Sequence, residues 1–375
     1  MSTNDHPADA TNTNGGNNDD DSSAVAHGKE KMKDSNGWDG KLRVDRRPVI
    51  TNPEALEDPE YTDEDAPPPE EIEADEDLLD DLDEDVDDID LVHCRVSSIP
   101  SLRLERFPKV EKLCLRQNQI SKITFPPTLD ATLVDLDLYD NLISHIKGLD
   151  NLTNLKSLDL SFNKIKHIKN VSHLEKLTDL YFVQNRIQTI QGLDGLKVLR
   201  NLELAANRIR EIENLETLTA LEELWLGKNK ITEIKNISTL SNLKILSIQS
   251  NRLTKISGLS DLPNLEELYI SDNLLTDLSG LESNKNLRVL DFSNNQVDHL
   301  DHLAHLSHLE ELWGSNNKIA SFEEVERQLR DKEELQTVYF EGNPLQRNGP
   351  AVYRNKVRLA LPQIVQIDAT YVKVS

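Results

Sequence analysis

Apolar and polar positions repeat along most of the chain in the pattern L-x-L-x-x-N-x-I, as in LELAANRI at residues 202–209. The asparagines that carry the pattern are Asn118, Asn141, Asn163, Asn185, Asn207, Asn229, Asn251, Asn273, Asn295, Asn317 and Asn343. Consecutive asparagines differ in residue number by 23 once, by 22 eight times and by 26 once. Alternating apolar positions are typical of a short strand with one buried face, and eleven copies in phase predict a solenoid.

The period and the consensus predict a leucine-rich-repeat solenoid of the α/β class. We expect a right-handed superhelix of about 12 repeats, with a parallel β-sheet on its concave face and a C-terminal cap. The twelfth repeat is an irregular copy, IDLVHCRV, that precedes the others and has Cys94 at the asparagine position. We therefore interpret Cys94 as a buried structural residue rather than a reactive thiol.

The fixed position of the asparagine within each repeat has a physical explanation. So short a repeat must turn sharply after a strand of only a few residues, and this turn places backbone N–H and C=O groups inside the molecule. An asparagine side chain offers both an acceptor and donors. We therefore predict that Asn207 and its equivalents form a ladder that binds the backbone of their own and of neighbouring repeats.

The acidic residues are concentrated in the first quarter of the chain. The formal net charge is −25, and residues 1–90 contain 30 Asp and Glu but only 7 Lys and Arg. A segment of this composition cannot bury a core. We predict a disordered acidic tail over residues 1–75, a solenoid with its N-terminal cap over residues 76–343, and a C-terminal cap over residues 344–375. The alternative interpretation of the tail is an acidic arm that docks on a basic partner or shields a folded surface.

The residue between the two leucines of each strand must point away from the core, onto the concave face. From the third asparagine-bearing repeat onward, this row reads Asp159, Tyr181, Glu203, Trp225, Ser247, Tyr269, Asp291, Trp313 and Tyr339. Five of these nine residues are aromatic, although the whole chain has only 17 Phe, Trp and Tyr. Exposed aromatic side chains among carboxylates are typical of protein interfaces. Nine strands span about 40 Å, so we expect the partner to be a protein with Lys or Arg at its docking surface.

The sequence offers little support for other chemistry. His299, His302, His305 and His308 recur at every third position, but they fall on different positions of the connecting arc, and we interpret them as solvated surface residues. We find no phosphate-binding glycine-rich loop and no nucleophile motif, so we predict neither an enzyme nor a cofactor.

The negative charge and the lack of a basic stripe argue against nucleic-acid binding. No apolar run indicates a membrane span, and two cysteines favour a reducing, intracellular compartment.

Several strings carry a resemblance to a known family: VEKLCLRQNQI, LVDLDLYDNLI, LWLGKNKIT, LSIQSNRLTKI, TVYFEGNPLQ and the terminal RNKVRLALPQIVQIDATYV. Together they resemble the leucine-rich-repeat regulatory subunit 7 family of protein phosphatase 1, over about residues 88–375. The resemblance implies a non-catalytic protein that grips the phosphatase catalytic subunit with its concave face. The contact residues that it implies are Asp159, Tyr181, Glu203, Trp225, Asp291, Glu311, Trp313 and Tyr339. At Tyr181 and Trp225 the family often has Phe.

The resemblance further implies a nuclear and cytoplasmic protein, and a complex in which a small inhibitor protein shares the phosphatase. Two features depart from the family pattern, namely the long N-terminal segment and the insertion Phe125-Pro126-Pro127. The alternative function is a leucine-rich-repeat scaffold for a different nuclear protein or ribonucleoprotein assembly, which leaves the terminal strings unexplained.

Overall fold

The structure is a computed structural model that describes residues 78–372. The prediction of a disordered acidic tail over residues 1–75 therefore lies outside the described residues. Within them, fourteen strands form one sheet in chain order. The strands are β1 (Asp88–Asp90), β2 (Lys112–Cys114), β3 (Asp135–Asp137), β4 (Ser157–Asp159), β5 (Asp179–Tyr181), β6 (Asn201–Glu203), β7 (Glu223–Trp225), β8 (Ile245–Ser247), β9 (Glu267–Tyr269), β10 (Val289–Asp291), β11 (Glu311–Trp313), β12 (Thr337–Tyr339), β13 (Gln366–Ile367) and β14 (Thr370–Tyr371).

Strands β1 to β13 pair in parallel, each with the next, and this confirms the predicted leucine-rich-repeat solenoid. The middle residue of every strand from β1 to β12 is a buried Leu, Ile or Val, and the first and third residues point to the opposite surface. We call that opposite surface the concave face. The buried middle residues join the other apolar positions of each repeat in one continuous core, so each repeat is stabilised by its neighbours.

The predicted asparagine ladder is confirmed. In the repeat of Asn207, Oδ1 accepts a hydrogen bond from the N–H of Ile187 at 3.0 Å, and Nδ2 donates to the carbonyl of Phe182 at 2.8 Å, both in the preceding repeat. Nδ2 also donates to the carbonyl of Leu204, which lies earlier in the same repeat. The side chain therefore satisfies backbone groups that the turn would otherwise leave buried without partners.

The residue directly before each ladder asparagine has a left-handed backbone. In ten of the eleven repeats it is not glycine, and its φ lies between 54° and 56°. This conformation costs about 1 kcal/mol or more for an L-residue. The hydrogen bonds of the asparagine that follows offset the cost, because they form only when the chain turns at this point.

The arcs that connect β4 to β11 consist of turns and bends, because so short a repeat has little room for a helix beside its strand. The Phe125-Pro126-Pro127 insertion begins a short 3-10 helix over Pro127–Leu129, with Leu129 buried in the core. Near the C-terminus the chain forms α1 (Phe322–Leu329), α2 (Pro344–Arg347) and α3 (Pro350–Ala360). No helix among residues 78–372 is both long enough and apolar enough to cross a membrane.

Asp368 organises the C-terminal end of the sheet. One of its carboxylate oxygens accepts hydrogen bonds from the N–H groups of Phe340 and Glu341, at 2.9 and 3.0 Å, and from the hydroxyl of Tyr353 at 3.1 Å. Strand β13 then pairs with the edge of β12 and covers it. The terminal string QIDATYV therefore has a structural role in closing the solenoid.

The irregular first repeat forms as predicted, since β1 pairs with β2. Cys94 packs against the core as predicted for a structural residue, but it is only partly buried. Its only hydrogen bond among the described residues is a 3.5 Å contact between Sγ and the carbonyl of Val92. The reason is its position in the first repeat, which no earlier repeat covers within residues 78–372.

Candidate protein-binding site on the concave face

All eight predicted contact residues lie on the concave face. Seven of them are the third residues of their strands: Asp159, Tyr181, Glu203, Trp225, Asp291, Trp313 and Tyr339. Glu311 is the first residue of β11, two positions before Trp313. The register of the parallel strands places these third residues side by side in one row, as the repeat pattern predicts.

Four aromatic side chains form a continuous cluster on the C-terminal half of this face. The ring centroids of Trp225 and Tyr269 lie 6.4 Å apart with nearly parallel planes, and those of Tyr269 and Trp313 lie 6.1 Å apart edge to face. Trp313 and Tyr339 lie 5.8 Å apart, also edge to face. We call Trp225, Tyr269, Trp313 and Tyr339 the aromatic cluster. These distances are those of favourable ring contacts, so the cluster is a preassembled apolar surface.

The cluster covers two smaller residues of the same row. Strands two apart in the sheet are separated by about 10 Å, so rings on such strands must lean toward each other to make contact. Ser247 and Asp291, on the strands between them, are only 1% and 5% exposed. Asp291 is one of the predicted contact residues, and in this arrangement its carboxyl group is buried. Burial raises its pKa, although the N–H of Ser293 donates a hydrogen bond to it.

Three members of the cluster are held by a glutamate on their own strand. In β7, β9 and β11 the sequence is Glu-Leu-aromatic, and the glutamate accepts a hydrogen bond from the indole or phenol of that aromatic residue. The bonds join Trp225 Nε1 to Glu223 at 3.2 Å, the Tyr269 hydroxyl to Glu267 at 2.7 Å, and Trp313 Nε1 to Glu311 at 2.9 Å. The fourth ring, Tyr339, has its hydroxyl bound by the side-chain amide of Gln366 in β13 at 2.7 Å. These bonds fix the orientation of the rings.

Tyr181 does not belong to the cluster. Its strand is separated from β7 by β6, whose Glu203 carries no ring, and its hydroxyl lies 3.4 Å from the side-chain amide of Asn201. A second aromatic pair lies closer to the N-terminus, where the rings of Tyr139 and Phe162 are 4.7 Å apart. The predicted aromatic row is therefore divided into a four-ring cluster and a separate tyrosine.

Carboxyl groups dominate the N-terminal half of the face. Burial, together with the neighbouring Asp159 and Glu223, raises the pKa of Glu203 to about 7. Burial also raises the pKa of Asp159 above its ordinary value. The pKa of Asp137 is raised to about 6, mainly by burial, although Arg116 forms an ion pair with it at 3.2 Å and so lowers the value. This part of the face therefore has a deficit of positive charge, which a partner with Lys or Arg would supply.

The sequence prediction of the site omitted four residues that the structure brings into it. The repeat pattern places Tyr269 in the row but not among the predicted contact residues, and the prediction does not include Glu223, Glu267 or Gln366. The Glu-Leu-aromatic triplet recurs in every second repeat, from Glu223 to Glu311, and this double period was the available signal. No comparable signal identifies Gln366, because its contact with Tyr339 depends on how the C-terminal segment folds back.

Within the described part of the chain, one group of side chains has the composition of a metal site. His299, Asp301 and Glu324 have ligand atoms within 4.8 Å of one another. The guanidinium of Arg327 lies 3.1 Å from Asp301 and 3.6 Å from Glu324, and Glu324 also accepts the N–H of Leu300. Arg327 already pairs with both carboxylates, so the group anchors α1 to the preceding repeat rather than providing an open cation site.

The interpretation of the neighbouring histidines as solvated residues is wrong for His305. Its Nε2 lies 2.8 Å from the carbonyl oxygen of Leu281 and forms a hydrogen bond with the backbone of the preceding repeat. His173 makes the equivalent contact with Leu149 at 3.0 Å. The reason is the arc position, where a ring nitrogen can satisfy a carbonyl group of the neighbouring repeat.

Comparisons with known proteins agree with the repeat fold. A family model described as leucine rich repeats (2 copies) matches residues 197–240 and 241–283. The chain is similar to an internalin from Listeria monocytogenes of known structure, with a TM-score of 0.60 and 24% identity over 76% of this chain and 88% of that one. This likeness concerns the fold alone.

Two curated relatives are regulatory subunits of protein phosphatase 1. One is SDS22 of Schizosaccharomyces pombe, which is 70% identical over 309 residues, covering 82% of this chain and 92% of the relative. Another is regulatory subunit 7 of Mus musculus, which is 54% identical over 46 residues, 12% of each chain. The extent of the first match is decisive, and the chain therefore belongs to the SDS22 family of protein phosphatase 1 regulatory subunits.

Proposed function

We propose that this chain binds the catalytic subunit of protein phosphatase 1 through its concave face and regulates it without catalysing a reaction itself. The names of the relatives supply the partner. The observation that carries the proposed surface is the aromatic cluster, because four pre-oriented rings stand on the solvent side of the sheet. The four rings are partly exposed, and Trp and Tyr on an accessible surface are typical centres of binding energy in protein interfaces.

The site has an apolar part and an acidic part, which we expect to make different contacts with the partner. The aromatic cluster supplies apolar contact area, and Glu203 and Asp159 supply carboxylates that favour a basic surface on the partner. Tyr181 lies between Asp159 and Glu203 in the row and contributes a further aromatic contact. The cluster has its polar atoms already bound by neighbouring side chains, so few side chains must be ordered when a partner binds, and preorganisation of this kind increases affinity.

The test is calorimetric titration of the full chain with the phosphatase 1 catalytic subunit. We expect Trp313→Ala to weaken binding about 30-fold or more, which is the effect of truncating an interface centre. Glu311→Gln removes the charge beside the same ring and is expected to weaken binding. Glu310→Gln is the matched control, because Glu310 precedes Glu311 in sequence but pairs with Arg288 at the rim of the sheet.

The possible outcomes test the identity of the partner and the location of the binding surface separately. Failure of the unmodified chain to bind would refute the proposed partner. Unchanged affinity in both Trp313→Ala and Glu311→Gln would refute the concave face as the binding surface while leaving the partner in place. An equal loss in Glu310→Gln would assign the effect to general charge rather than to this site.

We also propose, from the family resemblance, that the chain acts in both nucleus and cytoplasm and that a small inhibitor protein joins the complex. Imaging of the tagged full chain tests the first point, and confinement to one compartment would refute it. Titration of the inhibitor into the preformed complex tests the second point, where displacement of the chain instead of a ternary species would refute it. Absence of phosphatase activity in the isolated chain is the expected result for a regulatory subunit.

A further inference from the structure

A stack of three side chains lies where the chain leaves strands β2, β3 and β4. The guanidinium carbon of Arg116 is 4.2 Å from the centroid of the Tyr139 ring, and the centroids of the Tyr139 and Phe162 rings are 4.7 Å apart. Arg116 also forms an ion pair with Asp137 at 3.2 Å, so its charge is balanced next to the stack. Both rings are accessible to solvent. The stack therefore presents apolar ring area rather than an unbalanced charge.

Phe162 occupies a position that is unfavourable for a bulky residue. It directly precedes a ladder asparagine, and its φ of 55° lies in the left-handed region. Asn tolerates this region better than Phe, and two other repeats carry Asn294 and Asn316 at the same position. The Phe162 side chain is 39% exposed and lies outside the core that Leu160 and Ile165 of the same repeat join. A strained residue whose side chain lies outside the core is a candidate for a functional contact.

The two rings belong to a strip of apolar and aromatic side chains along the ends of four consecutive strands. We call the strip the strand-end patch, and its members are Tyr139, Phe162, Val183, Ala205 and Ala206. All five are at least partly exposed. They occupy the two positions before the ladder asparagine, which hold only Gln, Ser, Asp or Asn in the four repeats from β8 to β11. The N–H of Phe162 donates to the carbonyl of Val183 at 2.7 Å, so members from adjacent repeats lie side by side.

The strand-end patch adjoins the predicted contact residues of the N-terminal half of the row. The carboxylate of Asp159 accepts a hydrogen bond at 2.8 Å from the N–H of Ser161, the residue directly before Phe162. Tyr181 precedes Val183 by two residues in the same repeat. An extended chain rises about 3.3 Å per residue, so the patch lies within about 10 Å of this part of the row. A partner that covers this part of the row therefore also contacts the patch.

The patch places apolar surface where the row itself has carboxyl groups. The aromatic cluster lies on strands β7 to β12, whereas β4 and β6 contribute Asp159 and Glu203 to the row. Charged groups of an interface contribute more to specificity and to the rate of association than to affinity. Apolar contact area in the N-terminal half comes from the strand-end patch, which extends over the repeats of β3 to β6.

We propose that the strand-end patch is a second apolar contact for the same phosphatase catalytic subunit that the aromatic cluster binds, an inference that rests on the proposed function. The matching surface of the phosphatase is an uncharged apolar protrusion, because the charge of Arg116 is already paired with Asp137. Phe162 follows β4 and Trp313 ends β11, so they are at most about 34 Å apart along the sheet, a distance that one globular protein spans. Both halves of the concave face then hold one partner at once.

The test is calorimetric titration of the full chain with the phosphatase 1 catalytic subunit. Phe162→Asn removes the ring and introduces the residue that other repeats carry at this position, so the fold should be retained. We expect it to weaken binding about fivefold to tenfold, and Tyr139→Ser to act in the same direction. The matched control is Gln184→Asn, the same position one repeat later with a φ of 54°, which should change the affinity less than about twofold. Circular dichroism verifies the fold of each variant.

A double variant tests whether both halves contact the same molecule. Phe162 and Trp313 do not touch each other, so their effects on a shared partner should be independent. We expect Phe162→Asn to weaken binding by the same factor in the Trp313→Ala chain as in the unmodified chain. Absence of any further loss in the double variant would overturn the proposal of simultaneous contact.

The remaining outcomes distinguish this proposal from the proposed function. Failure of the unmodified chain to bind would refute the proposed function, and this extension with it. Loss of binding in Trp313→Ala, with changes below twofold in both Phe162→Asn and Tyr139→Ser, would refute the strand-end patch alone. An equal loss in Gln184→Asn would overturn it too, because the effect would not belong to the rings. Unfolding of both ring variants would assign the rings to folding and would also overturn the proposal.

Discussion

Replacement of Glu203 by Gln should stabilise the chain above neutral pH. In the folded protein burial and two neighbouring carboxylates, Asp159 and Glu223, raise the pKa of Glu203 from 4.5 to about 7. All three causes act in the same direction, and no cation lowers the value. The folded state therefore favours the protonated acid, whereas the unfolded chain ionises near the ordinary pKa.

The magnitude follows from the difference in pKa between the two states. Below about pH 4.5 both states are protonated and the group has little effect on the free energy of unfolding. Between about pH 4.5 and pH 7 the unfolded state releases the proton first, so stability is lost as the pH rises. Since each pKa unit corresponds to about 1.4 kcal/mol, the loss at pH 8 is at most about 3.5 kcal/mol.

Urea denaturation of the full chain, followed by circular dichroism at pH 5 and pH 8, measures this loss. The free energy of unfolding of Glu203→Gln, relative to the unmodified chain, should increase by about 2 kcal/mol between the two pH values. The same change at Glu216, an exposed acid of a connecting arc, supplies the baseline. A difference that stays constant with pH, or that matches the Glu216→Gln variant, would refute the reasoning.

The result matters for function because it measures how far the concave face is adapted to a partner. A carboxyl group that destabilises the isolated chain lacks a neighbouring positive charge, which a partner can supply. A Lys or Arg of the bound phosphatase next to Glu203 would lower the pKa and restore the lost stability. Binding through Glu203 would then release a proton near neutral pH, and the affinity of the unmodified chain would increase with pH more steeply than that of Glu203→Gln.

Two further predictions concern the asparagine ladder and the C-terminal cap of the solenoid. Asn207→Ala should reduce the free energy of unfolding by about 1–3 kcal/mol, because it leaves the N–H of Ile187 buried without its acceptor, while the carbonyl of Phe182 keeps a donor in Asn185; urea denaturation measures the loss, and a change below about 0.5 kcal/mol would contradict the ladder. Asp368→Ala should expose the last repeat, since the N–H groups of Phe340 and Glu341 lose their acceptor. Hydrogen exchange should then accelerate first around β12, and uniform protection would argue against the capping role.

The sequence by itself determined the fold, the positions of the strands and the identity of the concave row. These follow from local periodicity, because a short repeat with a fixed asparagine allows essentially one stacked arrangement, and alternation along a strand decides which side chains leave the core. The roles of Asn207 as a ladder residue and of Trp225 and Trp313 as concave-face aromatic residues were therefore predictable.

Only the tertiary structure decided how side chains of different repeats meet. The rings of the aromatic cluster lean over the strands between them and bury Asp291, an outcome that depends on rotamers and not on the repeat pattern. The pKa of Glu203 rises for the same reason, because its neighbours in space come from the adjoining repeats.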